Sequence, residues 1–319
     1  MPTSILTSDP TLINIGTHSL ALYAHGPEPK TSKDPVIFFV SGISSSRLNW
    51  GAVVRLLSPS LRSYTYDRSG YNNSEISPLP PTAENIALEL SLLIERASIT
   101  NPLILVGHSW AGVILCEFLA RTGNGPHIAG LVLVDANHET ALQVLEVNDP
   151  ILWTVFAGVD FYSGTGIEAE HKLTPEEWAA FQSDQSTEKH QKAGEKESEQ
   201  YSPSFPTLRQ KGLQEKQPLL GDKPVYVIGS FRSRDWGNLY KLGVEKGNGT
   251  EEQRRHAREM IATADEKSEG LMRKHLKLSE KSKFVLAKES GHFIQLQQPD
   301  VVVDGIEWAL SEIRDSASS

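Results

Sequence analysis

The chain has 319 residues, of which 39% are apolar and 22% are charged, and its formal net charge is −9 at pH 7. Folds of the α/β class commonly reach this length as a single unit, and the apolar fraction is large enough to bury a sizeable core, which excludes a disordered chain. The acidic balance leaves no basic face to neutralise phosphates, so nucleic acid is not an expected partner.

Membrane association is not expected either, because no apolar run approaches the ~20 residues that a helix needs to span a bilayer. The first twenty residues lack the basic and apolar regions of a secretory signal, which predicts a cytosolic protein. The only cysteine, Cys116, excludes an internal disulfide bond. Its place in an apolar run favours a buried thiol over a nucleophile.

The first half of the chain alternates short apolar runs with segments of helical spacing. The apolar runs predict strands at SLALYAH and at 35–40, 61–66, 102–106 and 128–134. A helix is predicted to begin after Thr82, between two of these strands. Strands that alternate with helices predict a mostly parallel, doubly wound sheet that is covered on both faces.

The regular alternation stops after residue 137, where an aromatic-rich stretch is followed by a long polar tract. We interpret residues 138–220 as an inserted, mainly helical cap on a core formed by residues 1–137 and 221–319. The alternation then resumes with two predicted strands and a last helix, at 224–229, at 283–287 and from Pro299 onward.

Ser109 stands in the sequence GHSWAG, directly between the predicted strand at 102–106 and an apolar, helix-like run. A serine on such a sharp turn has a strained backbone and needs small neighbours, which the glycines and the alanine of the motif provide. The turn presents the hydroxyl at a helix N-terminus, where the N–H of Trp110 faces an oxyanion. We therefore predict that Ser109 is a nucleophile. The plainer alternative is a serine that only caps the helix.

A serine hydroxyl needs a base within hydrogen-bonding distance, and His292 has the most suitable position among the ten histidines. It follows the predicted strand at 283–287 and precedes the last helix, so it lies at the carboxyl end of a strand, as Ser109 does. Among the others, His108 lies inside the GHSWAG turn, His138 follows another strand, and four lie in polar or cap segments, namely His171, His190, His256 and His275. The alternative for His292 is an imidazole that only packs in its loop.

These motifs resemble those of the α/β-hydrolase superfamily, in particular its serine esterase, lactonase and peptidase-like branch. The resemblance covers most of the chain and includes GHSWAG, VSGISSSRLNW, YDRSGYNNSE, LVLVDANHE and SGHFIQLQQPDVV. It implies the α/β-hydrolase fold. In the family, the last residue of a His-Gly-X loop donates the second oxyanion N–H, and here that position is Ile43. The loop reads Ser41-Gly42-Ile43, which leaves open how it is held without the histidine.

The resemblance leaves two candidates for the acid of a catalytic triad. Family members usually carry it a few residues after the strand that lies here at 224–229, but this slot holds Arg232, and Asp235 follows three residues later. A minority draw the acid from the end of the preceding strand, where Asp135 lies. We favour Asp135 and keep Asp235 as the runner-up. For Asp135 the alternative is a carboxylate that only caps or braces the end of the sheet. For Asp235 it is a surface ion pair with Arg232 or Arg234.

The predicted function is hydrolysis of an ester or lactone of an apolar small molecule through an acyl-enzyme on Ser109. No metal or organic cofactor is implied, because zinc-type spacings, a phosphate loop and a dinucleotide turn are all missing from the sequence. Epoxide hydrolysis and dehalogenation are not expected, because family members with these activities carry an aspartate at the position of Ser109. The alternatives are a lyase, a cyclase or an acyltransferase of the same fold, and a ligand-binding, receptor-like relative.

Three aromatic residues of the predicted cap are candidates for substrate binding, namely Trp153, Phe156 and Trp178. If they face Ser109, the pocket is apolar and suits an aryl or macrocyclic ester or lactone. The alternative is that they pack among themselves. The sequence does not determine an oligomeric state.

Overall fold

The computed structural model describes residues 4–57, 61–125 and 127–318, whose strands form one eight-stranded sheet. The strands are β1 (Thr11–Asn14), β2 (Ser19–His25), β3 (Val36–Val40), β4 (Ser63–Tyr66), β5 (Leu103–His108), β6 (Ile128–Val134), β7 (Val225–Gly229) and β8 (Ser282–Leu286). Their order is β1-β2-β4-β3-β5-β6-β7-β8. Strand β2 runs antiparallel to β1 and β4, and the others run parallel to their neighbours. The predicted mostly parallel sheet is confirmed.

Helices cover both faces of this sheet. They are α1 (Gly51–Leu56), α2 (Ala83–Arg96), α3 (Ala111–Thr122), α4 (Ala141–Val144), α5 (Pro150–Phe156), α6 (Phe161–Gly164), α7 (Ile167–Glu170), α8 (Pro175–Gln185), α9 (Glu188–Arg209), α10 (Arg232–Glu245), α11 (Glu251–Lys274), α12 (Ile294–Gln297) and α13 (Pro299–Ser318). Single 3₁₀ turns lie at Arg47–Trp50, Leu213–Lys216 and His275–Leu278. In the part of the chain that the structure describes, no helix combines the length and the apolar character needed to cross a membrane.

Strand β5 shows why the apolar runs of the sequence are continuous rather than alternating. Leu103 and Leu105 belong to the core cluster that includes α2 and α3, whereas Ile104 and Val106 belong to the cluster that includes α1 and α13. Successive side chains of a strand point to opposite faces, so both faces of the sheet are buried. A smaller third cluster joins α5 to α10 and α11.

Strand β1 is the element that the apolar pattern did not predict. Its residues Thr11, Leu12 and Asn14 are exposed, because β1 pairs only with β2 at the edge of the sheet. An edge strand with both faces near solvent carries neither an apolar run nor a regular alternation. The other strands lie within two residues of their predicted bounds.

The segment between β6 and β7 contains α4 to α9, which agrees with the prediction of a mainly helical insertion. The polar tract of the sequence forms α9, whose N-cap is Thr187 with its side chain accepting from the backbone N–H of His190. Phe205 and Leu208 of α9 pack in the same core cluster as β5 and α3. Helix α9 therefore shares its buried face with the sheet core. The bounds 138–220 for a separate cap stay a prediction.

Candidate active site

Ser109 occupies the turn between β5 and α3, with its backbone in the left-handed region at φ 57°. This conformation is strained for a residue with a side chain, and it directs the hydroxyl out of the turn. The turn closes only around small neighbours. A Cβ atom at Gly107 would lie 2.5 Å from Leu115 Cδ1, and one at Gly112 would lie 2.4 Å from the carbonyl oxygen of Asn137.

His292 lies on the loop after β8, and its Nε2 is 2.9 Å from Ser109 Oγ. Burial lowers the pKa of His292, Arg232 lowers it further, and the hydrogen bond to Asp135 opposes the decrease. A lowered pKa keeps the imidazole neutral at neutral pH, so its Nε2 is available to accept a proton. His108 packs behind it, with Nε2 2.9 Å from the backbone oxygen of His292.

Asp135 follows β6 and is buried, and its Oδ2 accepts from His292 Nδ1 at 2.5 Å. Arg232 Nη2 donates to the same oxygen at 3.0 Å. Burial by itself raises the pKa of Asp135, but the positive charge of Arg232 and the hydrogen bond from His292 outweigh burial and hold this pKa below its usual range. Asp135 is therefore ionised at neutral pH. Arg232, noted in the sequence only as the residue that displaces the usual acid, is its partner.

Asp235, the runner-up for the acid, lies in the first turn of α10 and is also buried. Its Oδ2 accepts the backbone N–H of His292 at 2.7 Å and makes no hydrogen bond to the imidazole ring. A Cβ atom at position 291 would lie 1.8 Å from Asp235 Oδ1, so Gly291 permits this contact. Burial raises the pKa of Asp235 to about 7. Asp135 thus contacts the imidazole ring of His292, whereas Asp235 contacts the backbone of the loop that carries His292.

The two predicted oxyanion donors lie beside Ser109. Trp110 directly follows Ser109, and a Cβ atom at Gly42 would lie 2.8 Å from Ser109 Cβ, so the loop that contains Ile43 contacts the turn. Among the described residues, none accepts a hydrogen bond from the backbone N–H of Ile43 or of Trp110. Both donors are therefore free to bind a ligand oxygen.

A family model described as the alpha/beta hydrolase family matches residues 37–305. The chain belongs to this family. It is 30% identical over 302 residues to an AB hydrolase superfamily protein of Gibberella zeae, with 92% of each chain covered. It is 31% identical over 306 residues to the probable transporter efuK of Hormonema carpetanum, a match that covers 94% of this chain but 42% of that protein.

A solved structure of similar fold is that of a putative epoxide hydrolase from Pseudomonas aeruginosa, with a TM-score of 0.66. The match covers 99% of each chain at 11% sequence identity. At this identity the likeness shows the α/β-hydrolase fold alone.

The three aromatic residues predicted to bind substrate in this α/β hydrolase make packing contacts with other rings, and their role in binding stays a prediction. Trp153 is half exposed, and its ring meets the ring of Phe156, which is buried in the cluster that joins α5 to α10 and α11. The ring of Trp178 stacks with the rings of His171 and Phe181. Among the described residues, none of these ring contacts involves Ser109 or His292. These contacts therefore give no support to the predicted pocket.

Other apolar side chains lie next to the catalytic histidine candidate. The ring of Phe293 is 5.2 Å from that of His292, and the ring of Phe161 is 5.7 Å from that of Phe293. Phe161 is 41% exposed, which leaves it available for contact with a ligand. Neither Phe161 nor Phe293 is among the residues predicted from the sequence to bind substrate, because the spacing of the aromatic residues in α5 to α8 is equally compatible with packing and with a pocket.

The site offers no arrangement suited to a metal ion. Among the residues that the structure describes, no group of three histidine, cysteine, aspartate or glutamate side chains is placed to hold one. The polar groups around Ser109 form instead a series of hydrogen bonds through His292 to Asp135. That the protein needs no cofactor stays a prediction.

Proposed function

We propose that this protein is a serine hydrolase that cleaves an ester or lactone bond of an apolar small molecule through an acyl-enzyme on Ser109. The observation that carries the proposal is the unbroken series of hydrogen bonds from Ser109 through His292 to Asp135, at 2.9 Å and 2.5 Å. The series provides a nucleophile, a base within reach of it, and an acid that orients the base. The strained turn at Ser109 supports the same role.

In the first half of the reaction, Ser109 Oγ attacks the carbonyl carbon while His292 Nε2 accepts the hydroxyl proton. The carbonyl oxygen becomes an oxyanion that accepts the N–H groups of Ile43 and Trp110. Asp135 stays ionised and stabilises the imidazolium, in keeping with its lowered pKa. When the carbon–oxygen bond to the leaving group breaks, His292 returns the proton to the departing oxygen.

In the second half, a water molecule attacks the acyl group on Ser109 while His292 Nε2 accepts a water proton. The second tetrahedral intermediate expels Ser109, which regains its proton from His292, and the carboxylic acid leaves. For a lactone substrate the leaving alcohol and the acid belong to one molecule, so the product is a hydroxy acid.

An apolar substrate is supported by the side chains that flank the nucleophile and the base. Ile43 and Phe293 are half-buried and Phe161 is exposed, so each has surface that a ligand can cover. Covering apolar surface is worth about 25 cal/mol per Å². The extension to lactones rests on the resemblance to lactone-cleaving enzymes. In those enzymes the acid follows the sixth strand, as Asp135 does here.

The test is a fluorophosphonate probe combined with a panel of ester, lactone, thioester and amide substrates. We expect the wild type to be labelled on Ser109, and Ser109→Ala to lose labelling and at least about 10⁴-fold in turnover without loss of fold. His292→Ala is expected to lose as much, and the double variant no more than either single one, because the groups act as a unit.

Other outcomes separate the alternatives. Turnover that survives Ser109→Ala would overturn the acyl-enzyme mechanism and favour a lyase or cyclase. A wild type that neither reacts with the probe nor turns over any substrate would favour a ligand-binding relative. Probe labelling together with transfer to an added alcohol, faster than transfer to water, would favour an acyltransferase.

A further inference from the structure

One peptide unit links the proposed oxyanion donor to the rest of the loop. The N–H of Ile43 and the carbonyl of Gly42 belong to the same trans peptide, which is planar, so the two groups point in opposite directions. Whatever fixes the Gly42 oxygen therefore fixes the direction of the Ile43 N–H. A Cβ atom at Gly42 would lie 2.8 Å from Ser109 Cβ, so this peptide lies directly against the nucleophile.

Arg68 holds this peptide from the side opposite the oxyanion. Its Nη2 donates to the Gly42 oxygen at 2.6 Å and its Nη1 donates to the Ser41 oxygen at 2.7 Å. Arg68 is only 4% exposed, so water competes little for these bonds. A guanidinium bound to the carbonyl polarises the peptide, which also strengthens its N–H as a donor.

Glu197 of α9 holds Arg68 in place and reaches the other end of the loop. Its Oε1 accepts from Arg68 Nε at 2.7 Å, and its Oε2 accepts from Arg68 Nη2 at 2.9 Å. The same Oε2 accepts the backbone N–H of Ser44 at 2.9 Å. The ion pair thus contacts the residues on both sides of Ile43. Glu197 is 2% exposed.

The close approach of α9 to the loop depends on a small residue in the helix. A Cβ atom at Gly194 would lie 2.8 Å from Ser44 Oγ, which already donates to the Gly194 oxygen. Ser44 itself has φ 47°, a strained conformation that persists only where neighbouring contacts enforce it. Helix α9 supplies those contacts.

We propose that Glu197, acting through Arg68, is a positioning residue that aims the Ile43 N–H at the oxyanion, so that helix α9 helps to set the stabilisation of the transition state. The inference rests on the proposed function, since it assumes an oxyanion beside Ser109. Neither side chain touches the reacting atoms. A buried ion pair gives little net stability by itself. The role that we assign to this pair is to hold the loop through its hydrogen bonds.

The decisive variants are Glu197→Gln and Arg68→Lys, measured with the best ester of the panel. The glutamine keeps the volume but loses the charge, and the lysine keeps the charge but cannot hold both carbonyls and the carboxylate with one fork. We expect kcat to fall about 10- to 100-fold, less than the about 10²- to 10³-fold loss when a donor is removed outright. KM is expected to stay within about threefold, because the transition state loses more than the bound substrate.

A second measurement isolates the oxyanion from general packing. A trifluoromethyl ketone forms a tetrahedral adduct on an activated serine and places an oxyanion in the same position. We expect its affinity to fall by the same factor as kcat in Glu197→Gln and Arg68→Lys, while the affinity for the carboxylic acid product stays unchanged. An unchanged kcat and ketone affinity in folded Glu197→Gln would overturn the proposal.

Tyr71→Phe is the matched control. Tyr71 donates to the same Glu197 Oε2 at 2.9 Å, but its hydroxyl makes no hydrogen bond to the backbone of the described residues 41–44. We expect this variant to lower Tm and leave kcat and ketone affinity unchanged. A loss of kcat in Tyr71→Phe equal to that of Glu197→Gln would show that packing around the carboxylate matters and would overturn the positioning role.

A single charge left unpaired in this buried place can prevent folding, so a double variant complements the single ones. Arg68→Met combined with Glu197→Met removes both charges together. We expect it to fold, to react with the fluorophosphonate probe slowly, and to show a kcat as low as that of the single variants. Full kcat in the folded double variant would overturn the inference but leave the serine mechanism intact. Turnover in Ser109→Ala would overturn the proposed function itself.

Discussion

At the scale of single residues, two buried aspartates contact His292 in different ways. Asp135 accepts from the imidazole Nδ1, and Asp235 accepts only the backbone N–H of the same residue. Their pKa values move in opposite directions, because Arg232 and the imidazole offset the burial of Asp135, whereas burial dominates at Asp235. One carboxylate is therefore ionised beside the imidazole of His292, and the other anchors the loop that carries this residue.

This difference predicts unequal effects of the two amide substitutions. We expect Asp135→Asn to lower kcat by about 10³- to 10⁴-fold, because the amide neither fixes the required tautomer of His292 nor stabilises the imidazolium. Asp235→Asn is expected to change kcat little, since its amide oxygen still accepts the backbone N–H of His292. Steady-state kinetics of both variants, with circular dichroism to check folding, provide the measurement. The reverse ranking would assign the ring contact to Asp235.

Asp235 also predicts a pH dependence of stability. In the unfolded chain this carboxyl ionises near 3.8, but in the folded protein it ionises at about 7, so between these values the folded state holds a proton that the unfolded state has released. Folding stability from this group therefore falls as the pH rises from about 4 to about 7, by up to about 4 kcal/mol.

The non-ionising variant Asp235→Asn tests this directly by thermal unfolding at a series of pH values. We expect it to lack this part of the decrease, so that its stability relative to the wild type is greater at pH 8 than at pH 4. A constant difference between the two proteins across this range would contradict the raised pKa.

At the scale of elements, α5 and α6 present aromatic residues to different surroundings. Phe161, at the start of α6, contacts Phe293, which follows His292, whereas Phe156, at the end of α5, is buried in the cluster that includes Leu152, Val155 and Trp236. We expect Phe161→Ala to change kcat/KM for bulky esters more than for small esters, with little change in Tm.

Phe156→Ala serves as the comparison for the same chemical change. It is expected to cost about 3–5 kcal/mol of stability, because it leaves a cavity in a packed cluster. Its ranking of bulky and small esters is expected to match that of the wild type. A changed ranking in Phe156→Ala with normal stability would support the predicted role of Phe156 in substrate binding.

At the scale of the whole molecule, the segment between β6 and β7 and the sheet share one core. Phe205, Leu208 and Leu220 belong to the same buried cluster as Leu103 and Leu105 of β5. Elements that share a core unfold together. We therefore expect a single thermal transition, with coincident curves from far-UV circular dichroism and tryptophan fluorescence. Two separate transitions would show that residues 138–220 form an independent unit.

The sequence by itself determined the elements whose signal is local. Strands buried on both faces read as apolar runs, and the turn at Ser109 needs small residues at fixed positions, so both are visible without the fold. The positions of His292 after one strand and of Asp135 at the end of another follow from the alternation of strands and helices along the chain. These three residues are the ones that the structure brings within hydrogen-bonding distance.

Only the tertiary structure decided the partners of the buried charges. Arg232 meets Asp135 across 97 positions of sequence, and Arg68 meets Glu197 across 129. Glu197 lies in a polar tract whose charged side chains are expected to face solvent. Nothing in the local pattern indicates that one glutamate of that tract is buried. A charge is stable in the interior only where distant elements supply its hydrogen bonds, so its place depends on how the elements pack and not on its neighbours in the chain.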